Sequence, residues 1–213
     1  MNIKLYSDSF YISPYGFSCW VALGEKEIPF EYVSVSLADK EQRSTAYRQR
    51  SVTGKVPMLE HDGFCLAESS AIVEYLEELF APPEHPRLLP SDSRQRARAR
   101  QIMAWIRSDL MPIREERSTT TMFYERANKP LSPAGRAAAE NLIRVAELVL
   151  PQGETSLFGG FTIADADLAF MLHRLILNGD DVPARLRAFA ETQWKRPSVR
   201  SFVEQKRKPY VPY

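Results

Sequence analysis

Cysteine is scarce in this 213-residue sequence: Cys19 and Cys65 are too few for a disulfide framework or a four-cysteine zinc site. The three histidines, His61, His85 and His173, are scattered without metal-ligand spacing, so no metal is expected. No apolar run reaches the roughly 18–20 residues that span a bilayer. The opening Met-Asn-Ile-Lys-Leu-Tyr lacks the basic-then-apolar layout of a signal peptide. An excess of one charge is also missing, with 28 Lys and Arg against 27 Asp and Glu. Nucleic-acid or anionic-membrane binding usually needs a strong basic excess, so neither is expected, and Lys206-Arg207-Lys208 is too short to change that and is expected as a solvated tail. What is present, 44% hydrophobic and 26% charged residues, is enough for a buried core and excludes a largely disordered chain. The expectation is a soluble, cytoplasmic protein of one large or two small domains.

The clearest break is Ala81-Pro-Pro-Glu-His-Pro-Arg-Leu-Leu-Pro90, with four prolines in ten residues. Proline lacks an amide donor and biases its predecessor toward extended backbone, so neither helix nor strand should cross it. The division read from this is a first domain over 1–81, a linker over 82–90 and a second domain over 91–213. In the first, Ile3–Tyr6 alternates as a strand, Phe17, Trp20, Val21 and Leu23 recur at helical spacing over about 14–26, and Val33, Val35 and Leu37 alternate again. Pro57–His61 and Phe64–Leu66 flank Asp62-Gly63, a two-residue turn signal that marks a hairpin. Ser69 or Ser70 then caps a helix carrying Ile72, Val73, Leu76 and Leu79. The order is βαβ, a connecting segment, then ββα. The second domain shows no strand; helices are expected over 92–117, 133–150, 162–178, 183–192 and 197–206. Thr162-Ile-Ala-Asp165 has the form of a capping box, opening a helix that is apolar nearly all round and suits the middle of a bundle.

Four short motifs fall along this plan: Ser13-Pro14-Tyr15 where the first helix starts, Lys55-Val56-Pro57 before the hairpin, Glu68-Ser69-Ser70 where the next helix starts, and the Thr162–Asp165 box. In their joint order and spacing the chain resembles the cytosolic glutathione S-transferases, in particular serine-type members of zeta- and omega-like character. The resemblance implies a thioredoxin-like βαβ–ββα domain followed by an all-helical bundle, with glutathione as co-substrate and no metal. It also implies a homodimer, a second substrate that is a small hydrophobic electrophile or peroxide, and a role in detoxification or oxidative stress.

Within that resemblance the residues take physical roles. Ser13 precedes Pro14, a good first helical residue, and a helix N-terminus carries unpaired amides and partial positive charge. A free thiol ionises near pH 8.5, so only a few per cent is thiolate at pH 7. A hydroxyl donor and a helix end together supply about 2.7 kcal/mol, enough to move that value down about two units. Ser13 would thus stabilise glutathione's thiolate; its structural alternative is a plain helix cap. Tyr6 is the rival hydroxyl, and Ser9, Tyr11 and Tyr15 are lesser ones. Ser13-Pro14-Tyr15-Gly16 also looks like a glutaredoxin Cys-Pro-Tyr-Cys site without its sulfurs, which speaks against a mixed-disulfide mechanism. Cys19 and Cys65 read as small buried hydrophobes.

The resemblance further implies that Val56 pairs with the cysteinyl backbone of glutathione beside a cis-proline, against an ordinary trans proline opening the strand. Glu68 and Ser69 meet the γ-glutamyl group, against plain capping. Lys40 or Arg43 meets the glycine carboxylate, against solvated surface charge. Trp105, Met111, Met122, Phe123 and Tyr124 are candidate walls for the electrophile, expected between the domains, against plain core packing, and Asp109 and Arg114 are candidate charges for the cleft or a subunit interface, against the more common surface ion pairing. The other class of function is a binding or scaffold module on the same fold.

Overall fold

The computed structural model describes all 213 residues. They form two compact units: Met1–Leu88 with Pro197–Tyr213, and Leu89–Arg196. In the first unit the order is β1 (Ile3–Asp8), α1 (Pro14–Glu25), β2 (Glu31–Val35), a 3₁₀ turn (Glu41–Arg43), α2 (Thr45–Arg48), β3 (Met58–His61), β4 (Phe64–Ala67) and α3 (Ser69–Leu79). The sheet order is β2-β1-β3-β4. β1 runs parallel to β2 and antiparallel to β3, and β3 is antiparallel to β4.

The period of two along β1 sets the layers. Ile3, Leu5 and Ser7 are buried on one face, while Tyr6 joins Val35, Tyr47, Met58, Leu37, Val56 and Cys65 on the other. Between β3 and β4, Asp62 (φ 47°) and Gly63 (φ 92°) both adopt the positive φ that a tight two-residue turn needs. Lys26, fully buried after α1, bonds Glu77 Oε2 at 2.6 Å and the Phe80 carbonyl at 2.7 Å. The same Glu77 oxygen accepts from the Leu88 amide at 2.8 Å, which pins the far end of the proline-rich segment to this unit.

The short helix α10 (Pro197–Val203) belongs here too, together with the residues after it, whereas the sequence division placed 197–213 with the helical half. Phe202 decides this: its ring lies 5.3 Å from Phe17, 5.8 Å from Trp20 and 6.3 Å from Tyr11. Trp20 Nε1 also donates to Ser201 Oγ at 2.8 Å.

The second unit is all helical: α4 (Ser93–Ser108), α5 (Met111–Glu116), α6 (Thr119–Phe123), α7 (Pro133–Val149), α8 (Ile163–Ile176) and α9 (Ala184–Trp194). The single helix expected over 92–117 is two, because Pro112 has no amide to give and Leu110 turns to φ 64°. α8 is the central element, buried from Ile163 to Leu175. At its start the Asp165 carboxylate accepts from the Thr162 amide (2.8 Å), the Thr162 hydroxyl (2.7 Å) and the Leu157 amide (2.7 Å). No helix is long and apolar enough to cross a membrane.

Candidate functional site

Strand register gathers the site. Tyr6 of β1 pairs with Met58 of β3, and Met58 pairs with Ala67 of β4. β1 ends just past Tyr6, β3 starts at Met58 and β4 ends at Ala67, so three loops meet at one end of the sheet. The first carries Ser13 into α1, the second carries Val56 into β3, and the third is Glu68 leading into α3. β2 ends at the same place, with Val35 opposite Asp8, and Lys40 follows it by five residues.

Asp8 organises the first of these loops. Its carboxylate is fully buried and accepts from the amides of Phe10 (3.0 Å), Ile12 (3.0 Å) and Ser13 (2.9 Å). Burial pushes the carboxyl pKa up, and those three amides and the positive charge of Arg207 pull it back toward the ionised form. Ser13, fixed through its own amide, caps α1: its Oγ accepts from the Gly16 amide at 3.1 Å. Accepting there leaves the hydroxyl proton to donate elsewhere. The cap and a thiolate donor are therefore compatible in one side chain.

The Val56–Pro57 peptide is cis. Glu68 occupies the N-cap position of α3, at φ 73° and ψ 116°, and its side chain makes no capping bond. This corrects the expectation that Ser69 or Ser70 caps the helix: Ser69 is its first residue, 5% exposed. Glu68 holds a left-handed backbone that a side chain adopts at a cost of order 1–3 kcal/mol, a kind of strain that concentrates at ligand sites.

Against known proteins, residues 8–84 match the model of the glutathione S-transferase N-terminal domain and 92–208 that of the C-terminal domain. The chain belongs to the glutathione S-transferase family. A glutathione transferase homolog from Burkholderia gl BGR1, solved with bound glutathione, is 39% identical, with a TM-score of 0.78 over 96% of this chain and 97% of that one. A maleylacetoacetate isomerase of Dictyostelium discoideum is 42% identical over 95 residues, 44% of this chain and 42% of that protein. A maleylpyruvate isomerase of Ralstonia sp is 34% identical over 115 residues, 54% of this chain and 52% of its own length. The chain thus spans about half or less of these two isomerases. The family's two-domain order agrees with a mixed four-stranded sheet flanked by helices, followed by a helical unit.

The remaining sequence candidates are placed as follows. Tyr6, the rival hydroxyl, donates to Glu60 Oε2 at 2.7 Å and accepts from Arg50 Nη2 at 2.8 Å, while Arg50 also pairs with Glu60. Burial raises the Tyr6 pKa, so the phenol stays protonated within this cluster. Cys19 is fully buried on α1, and Cys65 is half-buried on β4 beside the Tyr6 layer. Lys40 and Arg43, at the two ends of the 3₁₀ turn, are both exposed. Trp105, Met111, Met122, Phe123 and Tyr124 all lie on or beside α4, α5 and α6 of the helical unit.

Asp8 had no place among the sequence candidates, and Gly16, in the first turn of α1, entered only as the last member of the Ser13-Pro14-Tyr15-Gly16 tetrad. A carboxylate closing an apolar strand was the available signal for Asp8. That tetrad gives no hint of why a glycine stands at 16, which is its close approach to Ser7.

Proposed function

We propose that the chain is a glutathione transferase whose Ser13 hydroxyl hydrogen-bonds the glutathione sulfur. The thiol loses its proton on binding, and the thiolate attacks a small electrophile by substitution or addition. Val56 pairs through its backbone with the cysteinyl residue, and Glu68, Ser69 and the first amides of α3 hold the γ-glutamyl group. Lys40 takes the glycine carboxylate. A single observation carries the reading: the register Tyr6–Met58–Ala67 draws the Ser13, Val56 and Glu68 loops to one end of the sheet. Support also comes from the 39% identical Burkholderia homolog, solved with glutathione. Reduction of organic peroxides or dehydroascorbate needs the same thiolate with another second substrate. The protein is a cytoplasmic homodimer in this reading and uses no metal.

A second reading has support in the isomerase relatives: the thiolate adds to a maleyl-type double bond and leaves again after rotation. Assaying both a model aryl halide and a maleyl diacid separates the two.

The deciding experiment titrates the ultraviolet absorbance of the bound thiolate in wild type and Ser13→Ala. Loss of one charge-assisted hydrogen bond, about 1.5 kcal/mol, raises the midpoint by about one pH unit and cuts turnover about tenfold while glutathione still binds. An unmoved midpoint removes Ser13 from the sulfur. Retention of glutathione without turnover on any of these substrates leaves a binding module.

A further inference from the structure

The segment after α10 reaches back to the loop that carries Ser13. Arg207 donates to the Tyr11 carbonyl twice, from Nε at 3.2 Å and from Nη2 at 2.9 Å. The other guanidinium bonds go to the carbonyls of Phe202 (3.2 Å) and Val203 (2.8 Å) at the end of α10, and of Gln205 (3.0 Å). One planar cation thus ties a helix C-terminus, where carbonyls lack partners, to the residue two positions before Ser13. Tyr11 needs such a tie, because its φ of 54° is a left-handed conformation that an aromatic residue seldom holds unaided.

The surroundings brace the same point. The Tyr11 ring stacks on Tyr32 at 4.5 Å and meets Trp20 edge-on at 6.1 Å. Phe10, next to Tyr11 and buried, is covered by Tyr210 at 5.2 Å, Tyr213 at 6.2 Å and the Lys208 ammonium at 4.9 Å. Asp8 in turn holds the amides of Phe10, Ile12 and Ser13. The titratable groups facing Asp8 are Tyr11, Tyr32 and Arg207. The Tyr32 hydroxyl also donates to the Asp8 carbonyl at 2.6 Å.

We infer that Arg207 is a positioning residue: by clamping the Tyr11 carbonyl against the Asp8-held amides, it sets where the Ser13 hydroxyl lies. The inference rests on the reading that Ser13 bonds the glutathione sulfur. Without Arg207 the 10–13 segment samples more conformations, and the hydroxyl meets the sulfur for a smaller share of the time.

The test is a double-mutant cycle on the whole chain, read as the pH midpoint of the bound thiol and as kcat and KM with a model aryl halide. Arg207→Ala should raise the midpoint by about half a unit, about a threefold loss of thiolate below it, with the KM for glutathione changed less than about twofold. In the Ser13→Ala background the same substitution should add nothing. Arg207→Lys, which keeps the charge but not the paired donors, should recover only part of the loss, and it carries the test if Arg207→Ala does not fold. A wild-type midpoint in folded Arg207 variants overturns the clamp while leaving Ser13 in place. So does a full additional shift in Ser13→Ala, which would mark a field effect of the charge. A Ser13→Ala protein with an unmoved midpoint fails the Ser13 reading itself, and the clamp's catalytic role falls with it.

Discussion

Gly16 lies so close to Ser7 that a β-carbon on it would fall 2.1 Å from Ser7 Oγ and 3.1 Å from Ser7 Cβ. Ser7 is fully buried in β1, and Gly16 gives its amide to the Ser13 cap. Hydrogen at this position lets the first turn of α1 sit down on the strand. Gly16→Ala must therefore lift that turn or displace Ser7. A loss of about 1–3 kcal/mol in urea unfolding is expected, with weaker retention on immobilised glutathione. Wild-type stability would show that the turn and strand are less tightly joined.

Glu68 separates fold from function. Its φ of 73° strains the backbone, while its carboxylate caps nothing. Glu68→Gly should relieve that strain, leaving stability equal or higher by up to about 1 kcal/mol. Glutathione binding should weaken about tenfold, the worth of one charge-assisted bond. Calorimetric titration and thermal unfolding of the one variant read both effects. An unchanged dissociation constant would take Glu68 out of the site.

Two buried groups of the helical unit oppose one another as acid is added. His173, 2% exposed and stacked 3.8 Å from Trp194, has its pKa pushed down to about 4 by burial, with Arg187 adding to the effect. The unfolded chain takes up that proton first, so stability falls as pH drops from about 6.5 to 4. Asp165 is pushed up to about 6 by burial, so there the folded chain takes up the proton first and stability rises as pH drops from about 6 to 4. His173→Phe keeps an aromatic ring against Trp194 and removes the histidine's proton uptake. Its unfolding free energy should lose less than the wild type's between about pH 7 and 4.5, by on the order of 2 kcal/mol. Asp165→Asn should steepen the acid loss instead. Equal pH slopes in wild type and His173→Phe would show that His173 titrates normally.

The sequence was readable where one local rule acted alone. The Asp62-Gly63 turn, the alternation of β1 and the apolar run of α8 each state their structure within a few residues. Local rules misled where two competed. The 92–117 run keeps helical spacing throughout, yet Pro112 and Leu110 break it, and 41–48 folds into two short turns that no periodicity announced. At α3 the serines looked like caps, but the N-cap position fell to Glu68.

The chain's residues dictated which groups are available for chemistry: a serine before a proline at a helix start, a Val-Pro pair and an acid–serine pair. They also dictated the change from alternating strands and helices to helices alone. Only the folded sheet decided that these groups share one end, because pairing register depends on partners some fifty residues away. The docking of α10 on α1, and of the residues after it on Phe10 and Tyr11, came the same way, since aromatic rings in contact leave no mark in the local order of residues that such contacts join.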